Sequence, residues 1–383
     1  MMTKQTETAI LQYIDSLIDN SAPDQPVWNI EKIRSGEKNR WNYIDGCMIT
    51  AVLSLYEITK DEKYLAFADD FVGYFIEENG NIRTYDGQDM NLDDINAGRN
   101  LFPLYDLTGK EKYRKAMETL REQLRHQPRT KAGNFWHKKI YPYQVWLDGL
   151  YMAQPFYMQY ETRYNKMEGC RDSFLQFQRV RELMRDPVTG LYYHGYDESR
   201  KMYWADKKSG CSANFWLRAI GWFCCALVET ASVMDESLYY EYRFLQSMLK
   251  ELAEALIGWQ DESGMFFQVV DRSDYPGNYP ETSGTALIAY ALLKGVRLKY
   301  LPERFYAPGV RAMEGITERY LKTGADNKLS LGGICLVAGL GGVTHRDGSI
   351  EYYLSEPVVE NEAKGTAPFL LAFTELLRSG RNS

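Results

Sequence analysis

The sequence predicts an all-α fold, an (α/α)6 barrel of six helical hairpins forming one domain over residues 1–383. Three observations carry that expectation. A helix–turn–helix unit recurs with a period of about fifty residues. Its first helices are apolar and rich in small residues, whereas its second helices alternate apolar and charged faces. The long, aromatic, turn-rich connections fall between a second helix and the next first helix, so a barrel gathers them at one end.

The first unit opens at Gly46-Cys47-Met48-Ile49-Thr50-Ala51-Val52-Leu53 and turns through Ile58-Thr59-Lys60-Asp61-Glu62-Lys63-Tyr64. The second repeats it from Ala97-Gly98-Arg99-Asn100-Leu101-Phe102 to Leu107-Thr108-Gly109-Lys110-Glu111-Lys112-Tyr113. Looser copies begin at Gly149, near Ala219, at Gly284 and at Gly365. Small residues at these starts let neighbouring helices approach closely. The second helices cover Tyr64–Phe75, Tyr113–Leu124 and Tyr240–Leu256, with the two-faced pattern of an outer layer. The connections Asn79–Leu92, Ala132–Gln144, Thr189–Ser212 and Ser263–Pro280 then converge on one mouth. An open solenoid is the alternative, but solenoid repeats are usually shorter and more regular.

Composition narrows the chemistry. The 29 Tyr and 8 Trp supply rings that stack on the apolar C–H face of a sugar, although large helical proteins also pack such rings in their cores. A formal charge of −7 without any basic run argues against nucleic acid. An acidic substrate therefore has to be held by local cations. No apolar span is long enough to cross a bilayer, and polar residues interrupt the N-terminal run Ala9–Ile18, so it does not read as a secretory segment. Six scattered Cys form no CxxC pair, which fits buried reduced thiols and a cytoplasmic location. HExxH, clustered Cys/His and EF-hand patterns are absent, so no metal site is expected. P-loop, GxGxxG and GxSxG patterns are absent too. Acid chemistry with carboxylates remains.

Two aspartates occupy equivalent places in consecutive units. Asp93 lies in Asn91-Leu92-Asp93-Asp94-Ile95-Asn96-Ala97-Gly98, and Asp148 in Gln144-Val145-Trp146-Leu147-Asp148-Gly149. Each stands where a long connection meets a first helix, so both face the mouth. Aspartate is also a favoured helix cap. For Asp148, Trp146 and the preceding Trp136-His137-Lys138 tilt the reading toward chemistry. A neighbouring Trp lowers the local dielectric and raises a carboxyl pKa, as a general acid at neutral pH requires. Arg218 sits in Phe215-Trp216-Leu217-Arg218-Ala219-Ile220-Gly221-Trp222. Burying it unpaired is costly, so it meets either an internal carboxylate or an anionic ligand, and its planar fork suits a carboxylate.

The segments Gly133-Asn134-Phe135-Trp136-His137-Lys138-Lys139 and Tyr141 to Met152 closely resemble the hallmark of the unsaturated rhamnogalacturonyl hydrolases, glycoside hydrolase family 105. The resemblance continues through Leu92–Gly98, Thr189–His194 and Phe215–Arg218 to Tyr352–Glu356, nearly the whole chain. It implies an (α/α)6 barrel acting, without metal or organic cofactor, on oligosaccharides that carry a 4,5-unsaturated uronic acid at the non-reducing end. It also implies that Asp148 protonates C4 of the enol ether and helps activate water, while Asp93 holds sugar hydroxyls and stabilises charge. By the same resemblance His137, Lys138, Trp146, His194, Trp216, Arg218 and Trp222 line the pocket. Tyr43 joins them from the first unit, and Gly339 and Leu340 bring backbone near the sugar.

Three other readings stay open. A conventional glycosidase also uses two carboxylates. Unsaturated glucuronyl hydrolases share the barrel and both aspartates, although the His137-Lys138-Lys139 and Phe215–Arg218 contexts favour family 105. A non-catalytic acidic-sugar-binding protein on the same scaffold would have no need of both aspartates. The next sugar along the chain and the oligomeric state are not written in these motifs.

Overall fold

The computed structural model describes residues 4–324 and 328–380. Helix α1 (Lys4–Asp19) and the short α2 (Ile30–Ser35) lead into α3 (Tyr43–Thr59) and α4 (Glu62–Phe75). The second unit is α5 (Asp93–Asn96), a 3-10 turn and α6 (Leu101–Thr108), backed by α7 (Glu111–His126). Regular hairpins follow: α8 (Leu147–Tyr164) with α9 (Cys170–Met184), α10 (Leu217–Ser232) with α11 (Tyr239–Ile257), and α12 (Thr282–Arg297) with α13 (Tyr306–Tyr320). The short α14 (Ile350–Ser355) and α15 (Ala363–Arg378) come last.

Helix α3, the α5–α6 segment, α8, α10, α12 and α15 touch in that order, and α15 returns to α3, which closes the inner ring. Helix α10 shows why these are inside: every residue from Leu217 to Ala231 is buried, leaving no face for water. Helix α7 instead buries a stripe that includes Tyr113, Ala116, Met117, Leu120 and Leu124, and turns much of its charge outward. The small residues do bring helices together. A Cβ at Gly46 would fall 2.7 Å from the Cα of Ala97, so α3 can pack on the second unit only with glycine there.

Two features depart from the expected regular hairpins. No outer helix follows α15 among the described residues, and the sixth outer place is taken by α1 from the other end of the chain. The Tyr13 hydroxyl donates to Asn361 Oδ1 at 2.7 Å beside α15, and Asp15 accepts from Lys63 and Tyr64 of α4. The barrel is thus latched by its two chain ends. The inner helix of the second unit is also broken. Pro103 has no N–H for the Arg99 carbonyl, and the chain takes a 3-10 turn over Ala97–Asn100.

The connections 20–42, 76–92, 127–146, 185–216, 258–281 and 321–362 all end at the N-terminus of an inner helix. The opposite end has short turns such as 60–61 and 109–110. Short antiparallel pairs stitch the long connections: β1 (Gln144–Trp146) with β2 (Gly195–Asp197), β3 (Leu321–Thr323) with β4 (Leu329–Leu331), and β5 (Ile334–Cys335) with β6 (Val358–Val359). All six cysteines are buried free thiols. Among the described residues no helix is long and apolar enough to cross a membrane.

Candidate active site

The β1–β2 pair sets the centre of the mouth. It places Trp146 opposite Gly195, and the Leu147 amide donates to the His194 carbonyl at 3.0 Å. Trp146 therefore stands beside His194, rings edge to face at 5.6 Å, while it stacks on His137 at 4.7 Å and on Tyr141 at 4.9 Å. Gly149 makes room for this. A Cβ there would lie 2.9 Å from His137 Nδ1.

Both aspartates open adjacent inner helices, and neither acts as a cap. No side-chain cap bond is made at the start of α5 or of α8. Asp93 instead accepts from Lys138 Nζ at 2.6 Å, with His137 Nε2 at 3.3 Å from its other oxygen. Burial opposes the charge of Asp93, but Lys138 and then His137 outweigh it and hold the carboxyl below its ordinary range. Burial likewise opposes the charge of Lys138, and Asp93 reverses that and raises the ammonium. Burial drives the pKa of His137 down to about 4 despite Asp93, so the imidazole is neutral at pH 7.

Asp148 is arranged differently. Its Oδ2 lies 3.4 Å from His194 Nε2, and both atoms are buried without a hydrogen-bond partner. The other ring nitrogen of His194 lies 2.8 Å from the Tyr353 hydroxyl. Tyr353 stacks on Trp216 at 5.8 Å, and Trp216 in turn faces His194 at 4.7 Å. His194 is thus held by rings on one side and a hydroxyl on the other, with one nitrogen left toward Asp148.

Arg218 is buried over the Trp216 ring, 4.9 Å from its centre. Its Nη1 donates to the Ser283 hydroxyl and the Cys335 carbonyl, and no carboxylate of the described residues lies within ion-pair distance of it. Glu281 stays one step removed, accepting from Ser283 and from the Gly284 and Cys335 amides. Glu281, and then Tyr43 and Asp148, lie within electrostatic reach of the guanidinium. Burial, reinforced by Glu31 and Asp93, pushes the Tyr43 hydroxyl well above its usual range. Helices α3, α12 and α15 are capped by Asn42, Glu281 and Glu362. Helices α8 and α10 carry Trp146 and Trp216 at that position and take no side-chain cap. Their first turns thus present positive dipole ends beside Asp148 and Arg218.

Leu340 packs with Trp146, Trp204 and Ala205 over this centre, and the Gly339 amide donates to Tyr352 Oη at 3.0 Å. Trp222 stacks on Tyr151 at 4.7 Å, one turn further along α10 and α8 than Arg218 and Asp148. The structure therefore gathers Asp93, His137, Lys138, Trp146, Asp148, His194, Trp216, Arg218 and Leu340 around one mouth.

The signature of Glycosyl Hydrolase Family 88 matches residues 15–380. A solved glycoside hydrolase of family 105 from C. acetobutylicum ATCC 824 has a TM-score of 0.90 and 39% identity, covering 98% of this chain and 100% of its own. The chain belongs to the family 88/105 glycoside hydrolases. Protein Atu3128 of Agrobacterium fabrum is 38% identical over 237 residues, 60% of this chain and 100% of that protein. The unsaturated rhamnogalacturonyl hydrolase YesR of Bacillus subtilis is 26% identical over 276 residues, 70% of this chain and 75% of its own length.

In this family 88/105 hydrolase, three site features were absent from the residues singled out by sequence. Tyr353 reaches His194 from 159 positions away. Tyr141 pairs with Arg346 at 3.0 Å and stacks on Trp146. Asp94, behind Asp93, is pushed up to about 7 by burial and by its neighbour's charge. The resembling segments contained all three, but only the fold supplies their partners.

Proposed function

We propose that this hydrolase releases the 4,5-unsaturated uronic acid from the non-reducing end of lyase-generated rhamnogalacturonan oligosaccharides by hydrating the enol-ether double bond. The observation that carries this reading is the asymmetry of the two carboxylates. Asp93 is held as an anion by Lys138, whereas no Lys or Arg of the described residues pairs with Asp148. Its inner oxygen Oδ2 faces His194 Nε2 at 3.4 Å without a hydrogen bond, and the carboxyl is partly exposed at the mouth. A proton donor needs a free oxygen at the reacting atom, and a charge stabiliser needs a fixed anion.

In this scheme Asp148 gives its proton to C4, and the electrons of the C4–C5 double bond form the new C–H bond. Water adds its oxygen to C5 and returns a proton to the same carboxylate. The C5 hemiketal opens by breaking its bond to the ring oxygen. The hemiacetal left at C1 then collapses to an aldehyde and frees the next sugar. Asp93 counters the positive charge that develops on the ring and holds its hydroxyls. Arg218, lacking a carboxylate partner, takes the uronate, aided by the uncapped starts of α8 and α10. The rhamnogalacturonan assignment follows the name of the Bacillus subtilis relative.

The test is turnover of lyase-generated oligosaccharides, followed by loss of the ultraviolet absorbance of the conjugated double bond. Wild type should bleach it, and Asp148→Asn should slow bleaching by roughly 10³-fold or more, the scale of a lost general acid. Persistent absorbance with wild type, or full activity in Asp148→Asn, overturns the reading. A panel of lyase products that share the unsaturated end but differ in the linkage and in the next sugar then decides the substrate class.

A further inference from the structure

The connection that leads into α15 folds a tight turn over the catalytic mouth. Leu340, fully buried, packs against Trp146, Trp204 and Ala205. The Gly341 amide donates to the Arg346 carbonyl at 2.7 Å and closes the turn. The partly buried side chain of Arg346 runs back along it. Its Nε donates to the Gly341 carbonyl at 3.1 Å, and its Nη2 to the Tyr141 hydroxyl at 3.0 Å. Tyr141 stacks on Trp146, and Trp146 on His137. Arg346 is thus fixed to the outer ring of the stack that reaches the catalytic centre.

Pinning the turn does not require a guanidinium. Those bonds use two of the five N–H groups of an arginine, and a neutral amide could make either of them. Among the described residues Nη1 makes no hydrogen bond, and it is not sealed from solvent. No carboxylate of the described residues forms an ion pair with the group: Asp347 accepts from the Ser349 amide at 2.9 Å instead, and Glu356 lies within electrostatic reach but farther than an ion pair. Other cations of this mouth are committed, Lys138 to Asp93 and Lys364 to Glu31 and Glu362. The backbone is also shaped around Arg346. A Cβ at Gly339 would fall 2.6 Å from Nη1, and one at Gly342 3.3 Å from Nη2. Glycine at 339 therefore keeps open the place that the guanidinium fills.

We infer that Arg346 holds a carboxylate on the leaving part of the substrate, which makes it a specificity-determining residue for oligosaccharides with more than one acidic sugar. The identity of that substrate rests on the hydration activity proposed above. An exposed planar fork without an internal partner suits a carboxylate, which it meets through paired, charge-assisted hydrogen bonds. Arg218 inside the stack and Arg346 outside it then match two uronates of one chain. One is the unsaturated residue released at Asp148, and the other lies beyond the bond that breaks. In rhamnogalacturonan the acidic sugar alternates with a neutral one, so the second carboxylate arrives only with the third sugar.

The test compares two lyase products with the same unsaturated end. The disaccharide leaves rhamnose alone, whereas the tetrasaccharide leaves a galacturonate as well. Dissociation constants are read by calorimetry on the Asp148→Asn background, so the comparison does not depend on turnover. The tetrasaccharide should bind at least about tenfold more tightly, the scale of a hydrogen bond to a charged group. Raising the salt concentration should shrink that advantage. Adding Arg346→Gln should bring the ratio of the two constants close to one, whatever it does to either constant alone. A ratio near one with Arg346 present, a ratio that Arg346→Gln leaves unchanged, or an advantage indifferent to salt overturns the assignment. If Arg346→Gln does not fold, Gly339→Ala displaces the guanidinium and decides on the same ratio. Failure of the hydration reading shows separately, as ultraviolet absorbance that wild type leaves in place on both substrates, and the binding ratio still decides Arg346.

Discussion

The two mouths of the barrel are made by the same six inner-ring segments, yet they treat charge in opposite ways. At the mouth of helix N-termini, Asp148 Oδ2 and His194 Nε2 face each other at 3.4 Å without a hydrogen bond, and Arg218 makes no ion pair with a carboxylate of the described residues. At the mouth of helix C-termini, Glu229 gathers Arg99, Lys294 and Tyr290, and Glu375 gathers Arg297 and Arg378. The first mouth is framed by long connections such as 185–216, the second by turns as short as 60–61. Groups that the proposed scheme sets against a substrate are left underpaired on a rigid frame, while groups that join helices to one another are cross-paired. An underpaired buried charge lowers stability, so a fold tolerates it mainly where function uses it.

The largest expected effect breaks the cross-paired mouth. Glu229→Ala leaves Arg99 and Lys294 facing each other without a counter-charge and should cost about 3–5 kcal/mol of stability, read by chemical denaturation. The turnover of the molecules that remain folded should stay near wild type. A small loss of stability would show that the network is not structural.

Acid titration separates the mouths next. Lys294 and Arg99, working against burial, hold Glu229 down at about 2 from the ordinary 4.5. A depressed carboxyl contributes stability above its unfolded pKa and loses it as pH falls through its folded one. His137, depressed by burial from 6.5 to about 4, follows the same sign over a higher window. His137 therefore subtracts stability as pH falls from 6.5 to about 4, against the gain from Asp94 and Asp45, whose buried carboxyls are raised to about 7 and about 6, and Glu229 subtracts again between 4.5 and about 2. His137→Gln should flatten the upper step and Glu229→Gln the lower one. If the two variants trace the same curve, these assignments fail.

Smaller effects sharpen the catalytic mouth. Arg218→Ala should lower kcat/KM about 10- to 100-fold, the value of a hydrogen bond to a charged group, with only a modest drop in melting temperature. A collapse in stability would make it an internal strut. Tyr353→Phe removes the hydroxyl beside His194 and should reduce kcat by about fivefold, near 1 kcal/mol, while KM changes little. An unchanged kcat would show that the stacked rings alone orient His194.

Much of this was legible in the sequence because the signals were local. The small residues at Gly46 and Ala97, the polar turns at Lys60-Asp61 and Gly109-Lys110, and the aromatic connections marked inner helices, outer helices and the functional mouth. Asp93 and Asp148 could be placed because each belongs to a repeat. Closure by α1 was not legible, since Tyr13 and Thr366 meet only once the ring is formed. Nor was the pairing of Tyr353 with His194, or the Glu229 network, where Arg99, Glu229 and Lys294 come from three separate units. The choice between capping and catalysis for Asp148 turned on which hydrogen bonds its oxygens make, and those depend on the assembled barrel.

The most direct test of the hydration account is to run the reaction in deuterium oxide and read the released uronic acid by proton NMR. Protonation of C4 from a solvent-exchanged Asp148 predicts one deuterium at a single one of the two C4 positions, in a first product that already lacks the double bond. An unsaturated sugar appearing as the first product, its ring then opening to an enol that ketonises in solution with deuterium spread over both C4 positions, would contradict it, and would mark an ordinary glycosidic cleavage between the same two carboxylates.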